Sequence, residues 1–505
     1  MIRAAPRIQG SLTPSAGRRG SGGSERERDH YCSRVSLDST KGPPSHQCDI
    51  SEVAENTMPV LELDNFPEDI LHHIHSLVPL KDAARAASVS RRFLRSWRRF
   101  PNLTFNWRTL GLNLDEGTSS DTSKKFIDRI QNILDNHSGN GVEKFKLHLR
   151  PGDDVITANH LDSWLQAFVK SGIVELAVDL PRPPFPRPEY NLPCSLLSRA
   201  ARNLKSVTLD IVKITEELEC FLSCTISLEK LDISQCQISL LKIPSHLQQF
   251  RILHVDLCER LQMIEIYAPK VTKLMVEGPP RKISISDSSQ LKTVCMDGFM
   301  YSGVFEYALT KLHSIAANLE TLTMTSSKEA FNMLASPDKF LCLRQLKLYC
   351  CSSHFQSFDF FSLVSFLEAC PALESFFLSA GERYTVWKYS SILKYAKPDS
   401  FHMRRIPEFH HDKLKKVTIT AFSSSKSLIE LTCQILESAS SLQSLVLDTT
   451  TGYDNSGICD RMDRKAVIEA LKGLTAIERY VEGKVPSNVT LEVLKPCVPC
   501  HISKL

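Results

Sequence analysis

Residues 228–238 read LEKLDISQCQI. Apolar side chains stand at the first, fourth, sixth and eleventh places, and a cysteine at the ninth. Two apolar residues separated by one other put both side chains on one face of a short strand. The first six places recur as VEKFKL from Val142, IVELAV from Ile173, LKSVTL from Leu204, FRILHV from Phe250, VTKLMV from Val271 and LKTVCM from Leu291. They continue as LETLTM from Leu319, LRQLKL from Leu343, LESFFL from Leu373, LKKVTI from Leu414 and LQSLVL from Leu442. Most successive starts lie 20–31 residues apart, a self-similarity that signals stacked repeats.

The period and the L-x-x-L-x-L-x-x-C-x-L template are those of leucine-rich repeats. Each unit supplies one strand, neighbouring strands pair in parallel, and the leucines fill the layer between a concave sheet and a convex side. No unit can bury its apolar face alone, so the array is stable only as a stack. The template cysteines, with Cys258 and Cys351 in FRILHVDLC and LRQLKLYCC, sit where the chain leaves its strand and read as structural. MIEIYA near Ile264 and RKISIS near Ile283 fall between regular starts and belong on the convex side. The longest gap, Ser379 to Leu414, marks an insertion at 380–413 in an array spanning 142–448.

Ahead of the array, residues 63–100 read LDNFPEDILHHIHSLVPLKDAARAASVSRRFLRSWRRF. Phe66-Pro67-Glu68-Asp69 reads as a helix start, with proline in the first turn and acids at the positive end of the dipole. Ile70, Leu71, Ile74, Leu77 and Val78 recur at helical spacing. Pro79 ends that helix and begins a second, and Ser90 caps a third carrying Phe93, Leu94 and Trp97. So short a unit has little interior, and its surplus apolar residues mark an interaction site.

FPEDIL, PLKDAARAASVSRRF and LRSWR make this stretch resemble the F-box of plant F-box proteins with leucine-rich repeats. Phe66 replaces the family's usual leucine before the proline. The resemblance implies docking onto a Skp-type adaptor and, through it, a cullin ubiquitin ligase. It also implies adaptor contacts at Phe66, Pro67, Ile70, Leu71, Ile74, Leu80, Val89, Phe93 and Trp97. Of these, Ile74 and Val89 are the first candidates to turn inward into the small internal core.

The expected organisation is a tail at 1–57, the F-box at 58–108, a connector and helix at 109–141, the array, and a capping segment at 449–505. The tail is rich in Arg, Gly, Ser and Pro and reads as disordered. Pro101 to Asp121 reads as the connector and Ser123 to Asn136 as the helix. In the capping segment, Asp463 to Leu474 is an amphipathic helix and Val489 to Leu494 a last strand. Residues 476–501 resemble the C-terminal end of the same plant family.

Composition sets limits. The 505 residues are 42% hydrophobic and 23% charged, ordinary for a globular protein. The net charge of +4 selects no partner class. No apolar run reaches the roughly 18 residues of a membrane helix. Sixteen cysteines without a secretory leader suit a reducing compartment, cytoplasmic or nuclear, with thiols free.

Chemistry finds no foothold: nucleophile elbow, P-loop, H-E-x-x-H and dinucleotide fingerprint are all missing, so no enzyme and no cofactor are expected. Cys497-Val-Pro-Cys500-His501 spells C-x-x-C-H, yet it is solitary and lacks a fourth metal donor. His72, His73 and His75 read as a solvated face, and His410-His411-Asp412 as a loop.

The concave face is the expected target site. Just after or between the last two apolar positions of the early repeats stand Asp179, Asp210, Asp232, Asp256, Glu277 and Asp297, with His254 the one cation. Later repeats place Thr323, Thr325, Lys347, Tyr349, Phe377, Thr418 and Thr420 there. The acids suit a basic segment of a target protein. In the insertion, Tyr384 and Trp387 stand among Arg383, Lys388, Tyr389, Lys394, Tyr395, Arg404 and Arg405, a protein-binding loop in preference to a nucleic-acid surface. The expectation is an α/β protein, a three-helix F-box followed by a solenoid with a parallel concave sheet. It would serve as a substrate receptor of a Skp–cullin–F-box ligase. Two alternatives are an adaptor-bound scaffold that delivers nothing for degradation and a repeat receptor for a small molecule.

Overall fold

The computed structural model describes residues 66–497 apart from 113–117, 151–154, 171, 182–189, 215–216, 280, 330–338, 351–357, 382–390, 395–401, 451–461 and 463. The expected tail, Cys351, Tyr384, Trp387, Cys500 and His501 lie outside the described residues. Each of the twelve recurring hexamers forms a strand beginning two residues after its leading apolar residue. The leading residue and both strand leucine positions are buried in every unit, as in Leu228, Leu231 and Ile233.

Among the described residues, fourteen strands form one parallel sheet in chain order, from Asn102–Phe105 to Thr490–Leu494. Register keeps leucine beside leucine: Leu231 pairs Leu253, and Ile233 pairs Val255. The sheet thus begins one strand earlier than the sequence suggests. Asn102–Phe105, inside the expected connector, pairs with Lys144–His148 through Leu103 and Phe105. The helix that follows starts at Ser119, four residues sooner than expected, because the Thr118 hydroxyl accepts from the Asp121 amide at 3.2 Å. At the far end the capping helix runs Arg464–Tyr480, longer than expected.

Repeat length decides the convex side. Between Leu228 and Leu291 successive starts are only 20–22 residues apart. A helix rises about 1.5 Å per residue and a strand about 3.3 Å, so a short unit must return in extended chain. Leu240–Ile243, Met263–Ile266 and Lys282–Ile285 accordingly form a separate three-stranded parallel sheet. Two of these are the expected convex strands; the first was not foreseen. Longer units return through helices such as Ala158–Phe168 and Lys426–Ser438.

Side chains close the turns between units. The Cys236 thiol donates to the Leu209 carbonyl at 3.5 Å, reaching back one repeat as the template requires. Histidines, two of them buried, do the same for carbonyls that follow helices. His137 Nε2–H donates to Phe100 O at 3.0 Å, His246 to Thr225 O at 3.0 Å, and His411 to Cys370 O at 2.9 Å. Burial holds His137 and His411 below the usual histidine pKa, which favours the neutral ring. Gly278, at φ 122°, is fixed by its neighbour: a Cβ there would lie 2.8 Å from the Arg281 guanidinium.

The described part of the insertion is tied down. Arg404 donates to both oxygens of Asp359 at 2.6 and 2.7 Å and to the buried Glu430 at 2.8 Å. It also lies 4.6 Å above the Phe361 ring. Arg404, expected on a binding loop, is therefore a clamp between the insertion and the helix Lys426–Ser438. Ile406 joins it through Gln434, whose amide both accepts and donates. Replacing Arg404 by alanine takes the guanidinium from the buried Glu430 carboxylate, which keeps the backbone amide at 404 and Lys426, 3.8 Å away. Urea denaturation should show a loss of about 2–4 kcal/mol, and Arg404→Ala with Glu430→Gln should recover part of it.

Candidate functional site

Two surfaces qualify, one at each end of the sequence argument. The first is the helical unit ahead of the sheet: α1 Glu68–Leu77, α2 Leu80–Val89 and α3 Arg91–Trp97. Pro67 and Pro79 stand at the helix starts, and the Ser90 hydroxyl accepts from the Phe93 amide at 3.4 Å. Leu80, Ala83, Ala87, Trp97 and Phe100 join the same buried cluster as Leu103 and Phe105 of the first strand. The unit therefore shares its core with the solenoid.

Helix α1 is apolar on two faces. Leu71 and His75, four residues apart, point inward and are buried. Ile70, Ile74 and Leu77 form a second stripe, 42%, 38% and 72% exposed. At the end of α2, Val89 is 85% exposed. These positions revise the sequence reading. Ile74 and Val89, the candidates for the internal core, face solvent, while Leu71, Leu80 and Trp97 are the core. Leu77, absent from the expected contacts, is the most exposed of the stripe. Pro67 is exposed, and Phe66 and Phe93 are half-buried.

His75 is not on a solvated face. It is fully buried, and its Nε2–H donates to Ala83 O at 2.9 Å. Its Nδ1 then accepts from the Ser96 hydroxyl at 2.9 Å, and His72 Nδ1 meets the same hydroxyl at 2.9 Å. The ring also packs against Phe93, Trp97 and Phe100, with centroids 5.0, 6.4 and 5.4 Å away. One imidazole thus links all three helices. The lone signal in the sequence was its i+4 spacing from Leu71, which the run of three histidines obscured.

The second surface is the concave face. Parallel register stacks the last residue of each strand: Asp179 beside Asp210, Asp210 beside Ser234, Ser234 beside Asp256, and Glu277 beside Asp297. Two residues earlier, Asp232 lies beside His254. The expected acidic row is real as an alignment, but its charge is partly cancelled. His254 bridges Asp232 at 2.9 Å and Glu277 at 3.2 Å, and Lys230 reaches Asp232 at 3.3 Å. His148 meets Asp179 at 3.2 Å. Asp256 and Glu277 are buried, and the Ser234 hydroxyl donates to Asp256 at 2.8 Å. Those two acids were expected to face a target and do not.

Burial lowers the charged state of His254, but the bonds to Asp232 and Glu277 outweigh it and raise its pKa to about 10. Asp210 is pushed up to about 6 by burial and by Asp179, Asp256 and Asp232. Asp297 is pushed up to about 6 by burial and by Glu277. Beyond Asp297 the row becomes Thr325 and then Tyr349. Thr323 and Thr325 are buried, whereas Tyr349 and Phe377 are half-buried with ring centroids 5.3 Å apart. The usable concave surface is thus Asp179, Asp210, Asp232 and Asp297, ending on an aromatic pair.

Comparison with known proteins gives matches at both surfaces. The family described as At1g61320/AtMIF1, LRR domain, matches residues 133–204 and 199–498. The F-box domain family matches residues 63–105. Three relatives are from Arabidopsis thaliana. An FBD-associated F-box protein, At1g66310, is 26% identical over 439 residues, 74% of this chain and 92% of the relative. F-box/LRR-repeat protein 25 is 25% identical over 244 residues, 47% of this chain and 82% of the relative. The putative F-box/LRR-repeat protein At3g58880 is 30% identical over 122 residues, 23% of this chain, and the match spans 26% of the relative's length. Among the described residues, no helix is long and apolar enough to cross a membrane.

Two titrations follow from this geometry. Burial holds the His75 pKa down, so the unfolded chain takes a proton that the folded chain refuses. Stability is full above pH about 6.5 and falls as pH drops below it. His75→Gln should flatten the dependence of the unfolding midpoint on pH between 7 and 5. Asp210 has the opposite sign, because its folded pKa is raised. Its ionisation destabilises the fold as pH rises through about 6. Asp210→Asn should stabilise at pH 7.5, on the order of 1–3 kcal/mol, and the gain should shrink at pH 4.5.

Proposed function

As the chain belongs to the plant family of F-box proteins with leucine-rich repeats, we propose that it is the substrate-recognition subunit of a Skp–cullin–F-box ubiquitin ligase. The observation that carries this reading is the outer stripe of α1. Ile70, Ile74 and Leu77 are uncovered although the inner face of the same helix is fully packed. A short helix keeps two apolar faces when one of them is meant for another polypeptide. A Skp-type adaptor covers that stripe together with Pro67 and Val89, and the adaptor leads to a cullin. The chain itself carries out no chemistry. It contributes proximity, holding a target's lysines near a ubiquitin-charged enzyme in the cytoplasm or nucleus.

The repeats hold the target. A basic segment lying along the concave face meets Asp179, Asp210, Asp232 and Asp297, and a cation at its end stacks on Tyr349 and Phe377. The shared core of F-box and solenoid supports a fixed distance between adaptor and target.

Surface plasmon resonance against a purified Skp-type adaptor tests the first half. Ile70→Asp with Leu77→Asp should weaken adaptor binding by about a hundredfold or more, since buried apolar anchors dominate such interfaces. The unfolding midpoint should stay close to that of the native chain, because neither side chain belongs to the core. Unchanged affinity in this folded variant removes the adaptor from the account.

A further inference from the structure

We propose that the edge where the chain enters its strands carries a docking site for an acidic peptide segment, centred on Thr272. Backbone bonds stack one residue per repeat along that edge. The Glu229 amide donates to Lys205 O, Arg251 to Glu229 O, Thr272 to Arg251 O and Lys292 to Thr272 O, all at 2.8–3.0 Å. Glu320, Arg344, Glu374 and Lys415 continue the column through bonds of the same kind. Charge alternates in sign along it: Lys205, Glu229, Arg251, then Lys292, Glu320, Arg344, Glu374 and Lys415. Thr272 occupies the one place where the alternation lacks its acid.

Elsewhere neighbours in the column neutralise each other. Lys205 meets Glu229 at 3.2 Å, Lys292 meets Glu320 at 2.7 Å, and Lys415 meets Glu374 at 2.8 Å. At Thr272 the compensation lapses. Its hydroxyl donates to Arg251 O at 3.2 Å and brings no charge. The Lys273 amide donates to the same carbonyl at 3.0 Å, which sets Lys273 beside Arg251, and Lys270 stands two residues before Thr272. Arg251 and Lys270 are exposed, and among the described residues no carboxylate pairs with either of them or with Lys273.

The acids nearby are engaged. Glu229 and Glu320 hold their column cations, and Asp232 is bridged by Lys230 at 3.3 Å and His254 at 2.9 Å. Glu265, in the convex strand Met263–Ile266, accepts from the Tyr267 hydroxyl at 3.3 Å. Asp287, just past Lys282–Ile285, accepts from the Ser289 amide at 2.9 Å. Residues 225–230, 246–252, 267–273 and 286–293, which make up this stretch of the edge, are all described. A carboxylate from outside, seated over Thr272, meets Arg251, Lys270 and Lys273 and restores the alternation. Arg251 and Lys292 are two strand spacings apart, about 10 Å, the reach of three extended residues. Glu229 and Glu320 fence the site at that length, which suits a short acidic run and repels a continuous phosphate backbone. Tyr267, 46% exposed, is the one exposed aromatic on these segments, too few to stack successive bases.

The test uses the full chain and a fluorescein-labelled peptide with a central run of glutamates between glycine and serine, read by fluorescence polarisation at low salt. The peptide should bind, more weakly as salt rises, and its glutamine counterpart should not. Thr272→Glu supplies the absent acid from within and should weaken binding by about tenfold or more. Thr272→Gln loses the same hydroxyl without adding charge and should bind as the native chain does. The unfolding midpoint of Thr272→Glu should equal or exceed that of Thr272→Gln, because the new carboxylate lies among cations. Should Thr272→Glu fail to fold, Arg251→Gln with Lys270→Gln, both at exposed positions, carries the same expected loss. Failure of the acidic peptide to bind, or equal binding by the Thr272→Glu chain and the double variant, overturns the proposal. So does tighter binding of single-stranded oligouridylate that displaces the peptide, which would assign the edge to nucleic acid.

Discussion

A strand with one apolar face has no stable place in water, and among the described residues this chain answers by laying fourteen strands side by side. The spacing between strands, about 4.8 Å, then governs everything else. It sets leucine on leucine through the core. It also forces each unit to travel the same distance back to its neighbour, whatever its length. Units of 20–22 residues make that journey extended, and longer ones such as those returning through Ala158–Phe168 and Lys426–Ser438 make it as helix. The change of return path leaves Leu240–Ile243 at the edge of the convex sheet, beside the helix Glu217–Cys224.

The same spacing is hazardous for charge. Stacking strands that end in Asp179 and Asp210, or that set Glu277 beside Asp297, brings carboxylates side by side, and Asp210 and Asp297 respond by holding their protons to higher pH. The chain limits the repulsion by interleaving. His254 sits between Asp232 and Glu277, and Ser234 intervenes between Asp210 and Asp256. What remains exposed is a thinned acidic row that ends on the Tyr349–Phe377 pair, a more selective surface than a uniform acidic one.

At the other end, α1 serves two masters. Its inner face delivers His75 to the junction of three helices, where a neutral ring satisfies Ala83 O and Ser96. Its outer face remains apolar and open. The His75 ring packs on Trp97 and Phe100, which share a buried cluster with Leu103 and Phe105 of the first strand, so the helical unit and the solenoid meet through one core.

The sequence by itself determined the solenoid, since the L-x-x-L-x-L spacing repeated twelve times admits one way of burying its leucines. It also determined the three-helix unit, whose prolines and Ser90 stand where the helices start. Periodicity is a local property, so these were legible. The opening strand Asn102–Phe105 has the same spacing, with Phe100, Leu103 and Phe105 at the apolar places, but Phe100 directly follows the third helix and the partner strand lies some forty residues on. Only the tertiary structure decided which side chains are free. Ile74 and Leu71 share one helix and similar chemistry, yet packing against α3 buries one face of that helix and leaves the other open. Arg404 resembled a free cation until Asp359 and Glu430, brought from distant repeats, enclosed it. Likewise Asp256 and Glu277 look identical in pattern to Asp179 and Asp210, and their burial depends on neighbours that only stacking supplies.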